Sequence, residues 1–209
     1  MALTKPGTIL IISSPSGGGK TSICRKLLSP ARKRQGWKFS ISYTTRSPRR
    51  GERNGREYHF VSAEEFQRKV RAGFFAEHFK VHLYQYGTPR GPIDRVRRHG
   101  GVMLFDVDVQ GARRLKREYP DAISIFVLPP SQAELRRRLR RRGTETKEQL
   151  EVRLRNALNE MRTGTNFEFD YVVVNKELDK AVRQVLAIVE AHQCRIDRCD
   201  PERIKKITD

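Results

Sequence analysis

The stretch "SPSGGGKT", residues 14–21, sets Gly17, Gly18 and Gly19 directly before Lys20 and Thr21. Glycines in series let a backbone aim its N–H groups at one point, because they tolerate positive φ and carry no Cβ. A lysine ending such a loop reaches the outer phosphates of a nucleotide, and the hydroxyl after it suits Mg2+. The general pattern is G-x-x-x-x-G-K-[ST], and Ser14 stands where its first glycine belongs. Ser14, Pro15, Ser16, Gly17, Gly18, Gly19, Lys20 and Thr21 are the expected cradle for the phosphates of ATP. The site also needs an acid, and "VMLFD" closes on Asp106. A carboxylate ending an apolar strand steadies Mg2+ through its water shell, so Thr21 and Asp106 are the expected metal residues.

Moving a phosphoryl group loads negative charge on it, which the protein must neutralise and position. A planar guanidinium fork does this better than a point charge. Two arginine groups qualify: Arg46, Arg49 and Arg50 in "TTRSPRRGE", and the run "RRRLRRR" at 136–142. Within that run Arg138 and Arg142 are one helical turn apart and can share a side. The rest of the run reads as a solvated basic face.

These residues need a frame. "TILIIS" (8–13), "GVMLFDVD" (101–108), "AISIFVLPP" (122–130) and "YVVVN" (171–175) are short apolar runs, each read as a strand covered on both faces. Helical patterns are expected from Lys20 to Leu28 and over 109–118, 131–141, 147–161 and 177–193. Strands alternating with helices predict a doubly wound, parallel α/β sheet. The rhythm breaks over 38–88, where apolar and polar residues alternate around Pro48, Gly51 and Asn54-Gly55. A small inserted lobe of β and α structure, with antiparallel hairpins, is expected there. The core is then 1–37 with 89–193, and Gly143-Thr144 marks a charged loop inside a short lid of about 137–150. Residues 194–209 read as a tail, frayed at "CDPERIKKITD".

Composition narrows the partners. The 209 residues carry 43 Lys+Arg against 24 Asp+Glu, a formal charge of +19. Such a surface favours polyanions. No aromatic set interleaves with the basic residues to stack bases, so nucleic acid is not a required partner. There is no apolar run of membrane-spanning length and no leader pattern at "MALTKPGTILIISS", which predicts a cytoplasmic protein with no membrane partner. Cys24, Cys194 and Cys199 form no CxxC pair and are expected as thiols. Monomer and homodimer stay equally open.

In order and spacing, the glycine loop, "SYTTRSPRRGERNGREYHFV", "YQYGT", "FDVDVQG", "RRRGTE" and "FDYVVVN" resemble the guanylate kinases. The likeness runs over about residues 7–192, and 42–61 is its most specific part. The resemblance implies a P-loop core whose 38–88 lobe binds GMP or dGMP, with ATP as donor. It implies that Ser42, Glu77, Thr88 and Asp108 read the guanine edge. A carboxylate there accepts from N1–H and the 2-amino group, a pair that adenine lacks. It further implies that Arg46, Arg49, Tyr58 and Tyr86 hold the GMP phosphate, with Gly87 permitting close approach. Lys20, Arg49, Arg142 and Arg153 would serve the transferring phosphoryl, Arg138 the ATP phosphates, and Asn175 the adenine. Lys176 departs from the acid usual after that asparagine. Two other readings fit parts of the pattern: a non-catalytic interaction module of the same fold, and a P-loop kinase for another nucleotide or a nucleic-acid acceptor.

Overall fold

The computed structural model describes residues 7–81, 83–141, 147–165, 169–199 and 205. Its centre is a five-stranded sheet built from β1 (Thr8–Ser13), β2 (Trp37–Phe39), β7 (Val102–Asp106), β8 (Ile123–Leu128) and β9 (Tyr171–Val174). The order is β2-β7-β1-β8-β9, and every pairing is parallel. All six residues of β1 are buried, because helices cover both faces. Leu10 and Ile12 pack with residues of α1 (Lys20–Leu27) and α8 (Leu178–Gln193), while Ile9 and Ile11 pack with α4 (Arg90–His99) and α5 (Val109–Glu118). Each such aliphatic side chain contributes roughly 2–3 kcal/mol by leaving water.

The chain places β2 and β7 on one side of β1 and then crosses to place β8 and β9 on the other, which opens a crevice at the C-terminal ends of the strands. Register puts Ile12 opposite Asp106. The glycine loop that leaves β1 therefore starts beside the carboxylate that ends β7. Short helices α2 (Pro30–Arg34) and α6 (Gln132–Arg140), and the long α7 (Lys147–Thr165), complete the core.

The lobe is a second, four-stranded sheet in the order β4-β3-β6-β5: β3 (Tyr43–Thr44), β4 (His59–Phe60), β5 (Phe75–Val81) and β6 (Tyr84–Pro89). It is mixed rather than wholly antiparallel, since β3 and β4 run parallel. Helix α3 (Ala63–Arg71) covers one face by stacking Phe66 on Phe75, ring centroids 4.7 Å apart. On the other face the two-residue period aligns Glu77 with Thr88 and Phe79 with Tyr86.

Several elements escaped the sequence reading. Lys38 and Phe39, read as the start of the lobe, pair with Met103 and Leu104 in the core sheet. Three residues are too few for a periodic signal. Helix α4 was hidden by Gly91 and Pro92, which sit in its first turn, where a missing N–H costs nothing. Helix α7 runs four residues past the expected end at 161. Residues 142–146, with Gly143-Thr144 of the expected lid, lie outside the described residues, as does nearly all of "CDPERIKKITD". The chain just before that segment is docked: Arg198, in a short 3-10 turn, donates to the Gly7 carbonyl at 3.1 Å.

Asp170 ties the two ends of β8–β9 together. It accepts from the Ser124 N–H (2.7 Å), the Ser124 hydroxyl (2.8 Å) and Lys116 (2.8 Å). Burial works against the carboxylate, but Lys116 and Ser124 prevail and hold its pKa below the usual carboxylate range. A depressed folded-state value means stability that is present above about pH 4 and lost as pH falls through the folded value. Asp170→Asn is therefore expected to flatten the acid limb of a stability–pH curve measured by urea unfolding. An unchanged slope below pH 4 would rule the residue out as a contributor.

Candidate active site

The glycine loop is shaped by positions that no other residue can fill. Gly17 and Gly19 have φ of 87° and 95°. A Cβ at Gly17 would come within 2.9 Å of Leu135, and one at Gly19 would overlap the Asn175 amide. Helix α1 then begins with no side-chain cap at Gly19 and no acid in its first turn. Its leading N–H groups and positive dipole end are left for an anion. Ser14 folds onto the Pro15 carbonyl at 3.0 Å, so a serine serves at the expected glycine position.

Lys20 crosses the crevice. Its Nζ lies 2.6 Å from Asp106 Oδ1 and donates to the Val107 carbonyl at 2.6 Å. Thr21, one residue on, is exposed. Cys24, beneath the loop, is no nucleophile: burial above all, then the charge of Asp106, pushes its thiol pKa far up despite Lys20.

A cleft of about 510 Å³ flanks the loop, lined among others by Gly17, Gly19, Arg138, Asn175 and Lys176. Asn175 is only 5% exposed, and its Nδ2 donates to the Gly18 carbonyl at 3.1 Å. Arg138 donates to the carbonyls of Gly18 (3.3 Å) and Asn175 (2.8 Å) and pairs with Glu134 at 2.8 Å. Both residues were expected to face the donor nucleotide; both also brace the loop that would hold it.

Glu160 of α7 was missed. It accepts from the Ser16 N–H at 2.8 Å, and Arg153, one helical stretch earlier, donates to the Ser16 hydroxyl at 3.3 Å. The only sequence signal is the i, i+7 spacing of the two, which puts them on one face of α7. Arg142, expected with Arg153 on the transferring phosphoryl, lies outside the described residues.

Opposite, the lobe presents two clusters joined by rings. Arg46 pairs with Glu52 at 2.9 Å and lies 5.6 Å over the ring of Tyr58. The Glu52 hydrogen bond holds the guanidinium above its ordinary pKa and the carboxylate below its own. Tyr58 meets Tyr86 edge-on at 5.9 Å, and Tyr86 stacks on Phe79 at 5.8 Å. Burial raises the Tyr58 phenol, and the charge of Asp106 across the crevice adds to that effect. At the far end of the ladder Thr88 donates to Glu77 Oε1 at 2.7 Å. Ser42 is half-buried, its carbonyl accepting from the His59 N–H.

Three of the expected site residues also have local structural settings of their own. Asp108 caps α5, its Oδ1 accepting from the Gly111 N–H at 2.7 Å. Gly87 has a packing reason: a Cβ there would come within 2.8 Å of the Phe75 ring. Arg49 is exposed, and Glu52 engages its backbone: the Arg49 N–H donates to the Glu52 carboxylate at 2.7 Å and its carbonyl accepts from the Glu52 N–H at 3.0 Å.

A family model of guanylate kinases matches residues 6–192. The chain belongs to the guanylate kinase family. It is 40% identical over 198 residues to a guanylate kinase of Caldanaerobacter subterraneus subsp. tengcongensis, covering 95% of this chain and 94% of the relative. A guanylate kinase of Myxococcus xanthus is 42% identical over 199 residues, covering 95% and 93%. Among solved structures, the guanylate kinase of Anaplasma phagocytophilum superposes with a TM-score of 0.74 at 33% identity, covering 96% of this chain and 94% of that one. The guanylate kinase match spans the lobe and core together. Among the described residues no helix is long and apolar enough to cross a membrane.

Proposed function

We propose that this enzyme transfers the γ-phosphoryl group of ATP to GMP or dGMP, giving ADP and GDP or dGDP. The observation that carries the acceptor assignment is the Glu77–Thr88 pair on the cleft-facing side of the lobe, at one end of a ring ladder whose other end is Arg46. A carboxylate at the base end and a guanidinium with two phenols at the other match guanine and its 5′-phosphate. Ser42 and Asp108 complete the base edge. Arg46, Arg49, Tyr58 and Tyr86 take the phosphate.

The donor lies along the glycine loop, with Asn175, Arg138 and Lys176 around the adenine-side cleft. An oxygen of the GMP phosphate attacks the γ-phosphorus in line. That O–P bond forms as the bond to the bridging oxygen of ADP breaks, and no covalent enzyme intermediate is needed. Lys20, Arg49, Arg142 and Arg153 neutralise the charge that spreads over the transferring group. Thr21 and Asp106 offer hard oxygen donors at the loop's end, a set suited to Mg2+, which keeps most of its shell as water and phosphate oxygens. Bound there, Mg2+ would supply charge neutralisation on the nucleotide phosphates.

The test is purified protein with Mg-ATP and GMP, AMP, CMP or UMP in turn, reading ADP release. Turnover with GMP far above the others is expected. Glu77→Gln is expected to lower kcat/KM for GMP about 100-fold while moving KM for ATP little, since a buried carboxylate reading two N–H groups is replaced by a half-mismatched amide. Turnover with AMP equal to that with GMP would overturn the assignment. Turnover with no acceptor would favour an interaction module.

A further inference from the structure

Glu77 makes a second buried contact, on its other oxygen. Arg114, on α5, places its Nε 3.5 Å from Glu77 Oε2, and its guanidinium sits 3.7 Å above the centre of the Phe79 ring. The Glu77 side chain is 11% exposed and that of Arg114 27%, so the pair is largely shielded from solvent. Glu77 Oε2 and Arg114 Nε are buried and make no hydrogen bond. Glu77 Oε1 is held by Thr88. One oxygen is thus fixed by a hydroxyl and the other faced by a charge, while Phe79 fixes where that charge sits.

We propose that Arg114 is a positioning residue for acceptor-base selection: seated on Phe79, it keeps Glu77 an ionised carboxylate of set orientation. This rests on Glu77 being the guanine reader. Only an ionised carboxylate offers acceptors to both N–H groups of guanine; a protonated one spends an oxygen as a donor. Burial favours that protonated form, and it is the leading influence on Glu77, which stands above the usual carboxylate range. The Thr88 hydroxyl and then the Arg114 charge oppose it. His78, the neighbour on β5, adds a weaker pull in the same direction. Arg90 and Lys69, on the other helices packed against β5, are directed elsewhere. Arg90 of α4 donates to the Phe75 and Ala76 carbonyls and pairs with Glu118, and Lys69 of α3 lies over Tyr43 and Phe74. Strand β6 carries two phenols, Tyr84 and Tyr86, and no acidic or basic residue.

The clamp joins two elements far apart in sequence: Phe79 and Glu77 come from the lobe, Arg114 from a core helix. A base seated against Glu77 therefore sits on a carboxylate braced by both parts of the molecule. The ring of Phe79 is stacked in turn on Tyr86, so the same contact steadies the phosphate end of the ladder.

Arg114→Met keeps length and apolar contact but removes the charge. With carboxyl-labelled glutamate, NMR titration of the ligand-free protein is expected to show the Glu77 transition about one pH unit higher in Arg114→Met than in the parent. KM for GMP is expected to rise about fivefold to tenfold at pH 7, and more steeply toward pH 5, while KM for ATP stays the same. Arg114→Lys, which restores charge without the flat stacking face, should recover most of the titration shift. An unmoved Glu77 transition in Arg114→Met would overturn the clamp, whatever GMP does. A moved transition with an unchanged KM for GMP would overturn the link to base selection. Glu77→Gln with an unchanged KM for GMP would instead overturn the reading of Glu77 itself.

Discussion

Lys20→Ala should lower kcat about 1,000-fold with Mg-ATP and GMP, the scale expected when one preorganised charge on a developing oxyanion is lost. The lysine lies in the mouth of the crevice, 2.6 Å from Asp106 and 2.6 Å from the Val107 carbonyl. Those contacts hold it at the loop's end, where the outer phosphates of a donor would arrive. Exchanging a carboxylate for phosphate oxygens costs it little, so its charge is available without rearrangement. Stability should barely move. The side chain of Asp106 is 21% exposed, so water can replace the lost ammonium, and a partly exposed pair of this kind contributes at most about 1 kcal/mol. Steady-state kinetics and a melting curve on the same preparation decide the matter. Activity within tenfold of the parent, at an unchanged melting temperature, would remove Lys20 from the chemistry.

Gly164→Ala is expected to destabilise the protein by about 2 kcal/mol and lower its melting temperature by about 4–8 °C. Two effects compete. Alanine in place of glycine in the last turn of α7 gains at most about 1 kcal/mol of helix propensity. Against this, the added Cβ would overlap the ring of Phe126. That ring is wholly buried in β8 and stacked on Phe169 at 5.0 Å, so it has no free direction in which to yield. Overpacking a closed core costs typically 1–3 kcal/mol or more and here exceeds the propensity gain. Because α7 also carries Arg153 and Glu160 to the glycine loop, displacing it should raise KM for ATP as well. A melting temperature equal to or above that of the parent would mean that Phe126 can move and that the helix sits loosely on the sheet.

The features most legible in the sequence are those written in local physics. Three of the core strands announce themselves because burial on both faces demands continuous apolar runs; β9, equally apolar in sequence, is an edge strand in which only Val173 is buried, so the expectation of cover on both faces fails there. The order of strands and helices implies a parallel sheet. The glycine loop was readable because close backbone approach excludes side chains, and Asp106 because it ends an apolar run. The resemblance of 42–61 and the scattered short motifs to guanylate kinases added the acceptor, which no local pattern specifies. Strand β2, at three residues, and helix α4, masked by Gly91 and Pro92, were invisible because neither leaves a period long enough to count.

Residue type and order alone specify an inventory: a glycine loop with its lysine, an acid ending an apolar strand, a supply of arginines and an inserted lobe. Tertiary structure decided what each of these touches. It showed Asn175 and Arg138 bracing the loop through the Gly18 carbonyl, Asp108 capping a helix, and Gly87 yielding space to Phe75. It also brought Glu160 to Ser16 and Arg114 to Glu77, across separations of 144 and 37 positions. The physical reason is that residue type and spacing record what a segment must bury or bind locally. Which distant charge comes to rest against a buried carboxylate depends on how helices pack across the sheet, and no short window of sequence contains that.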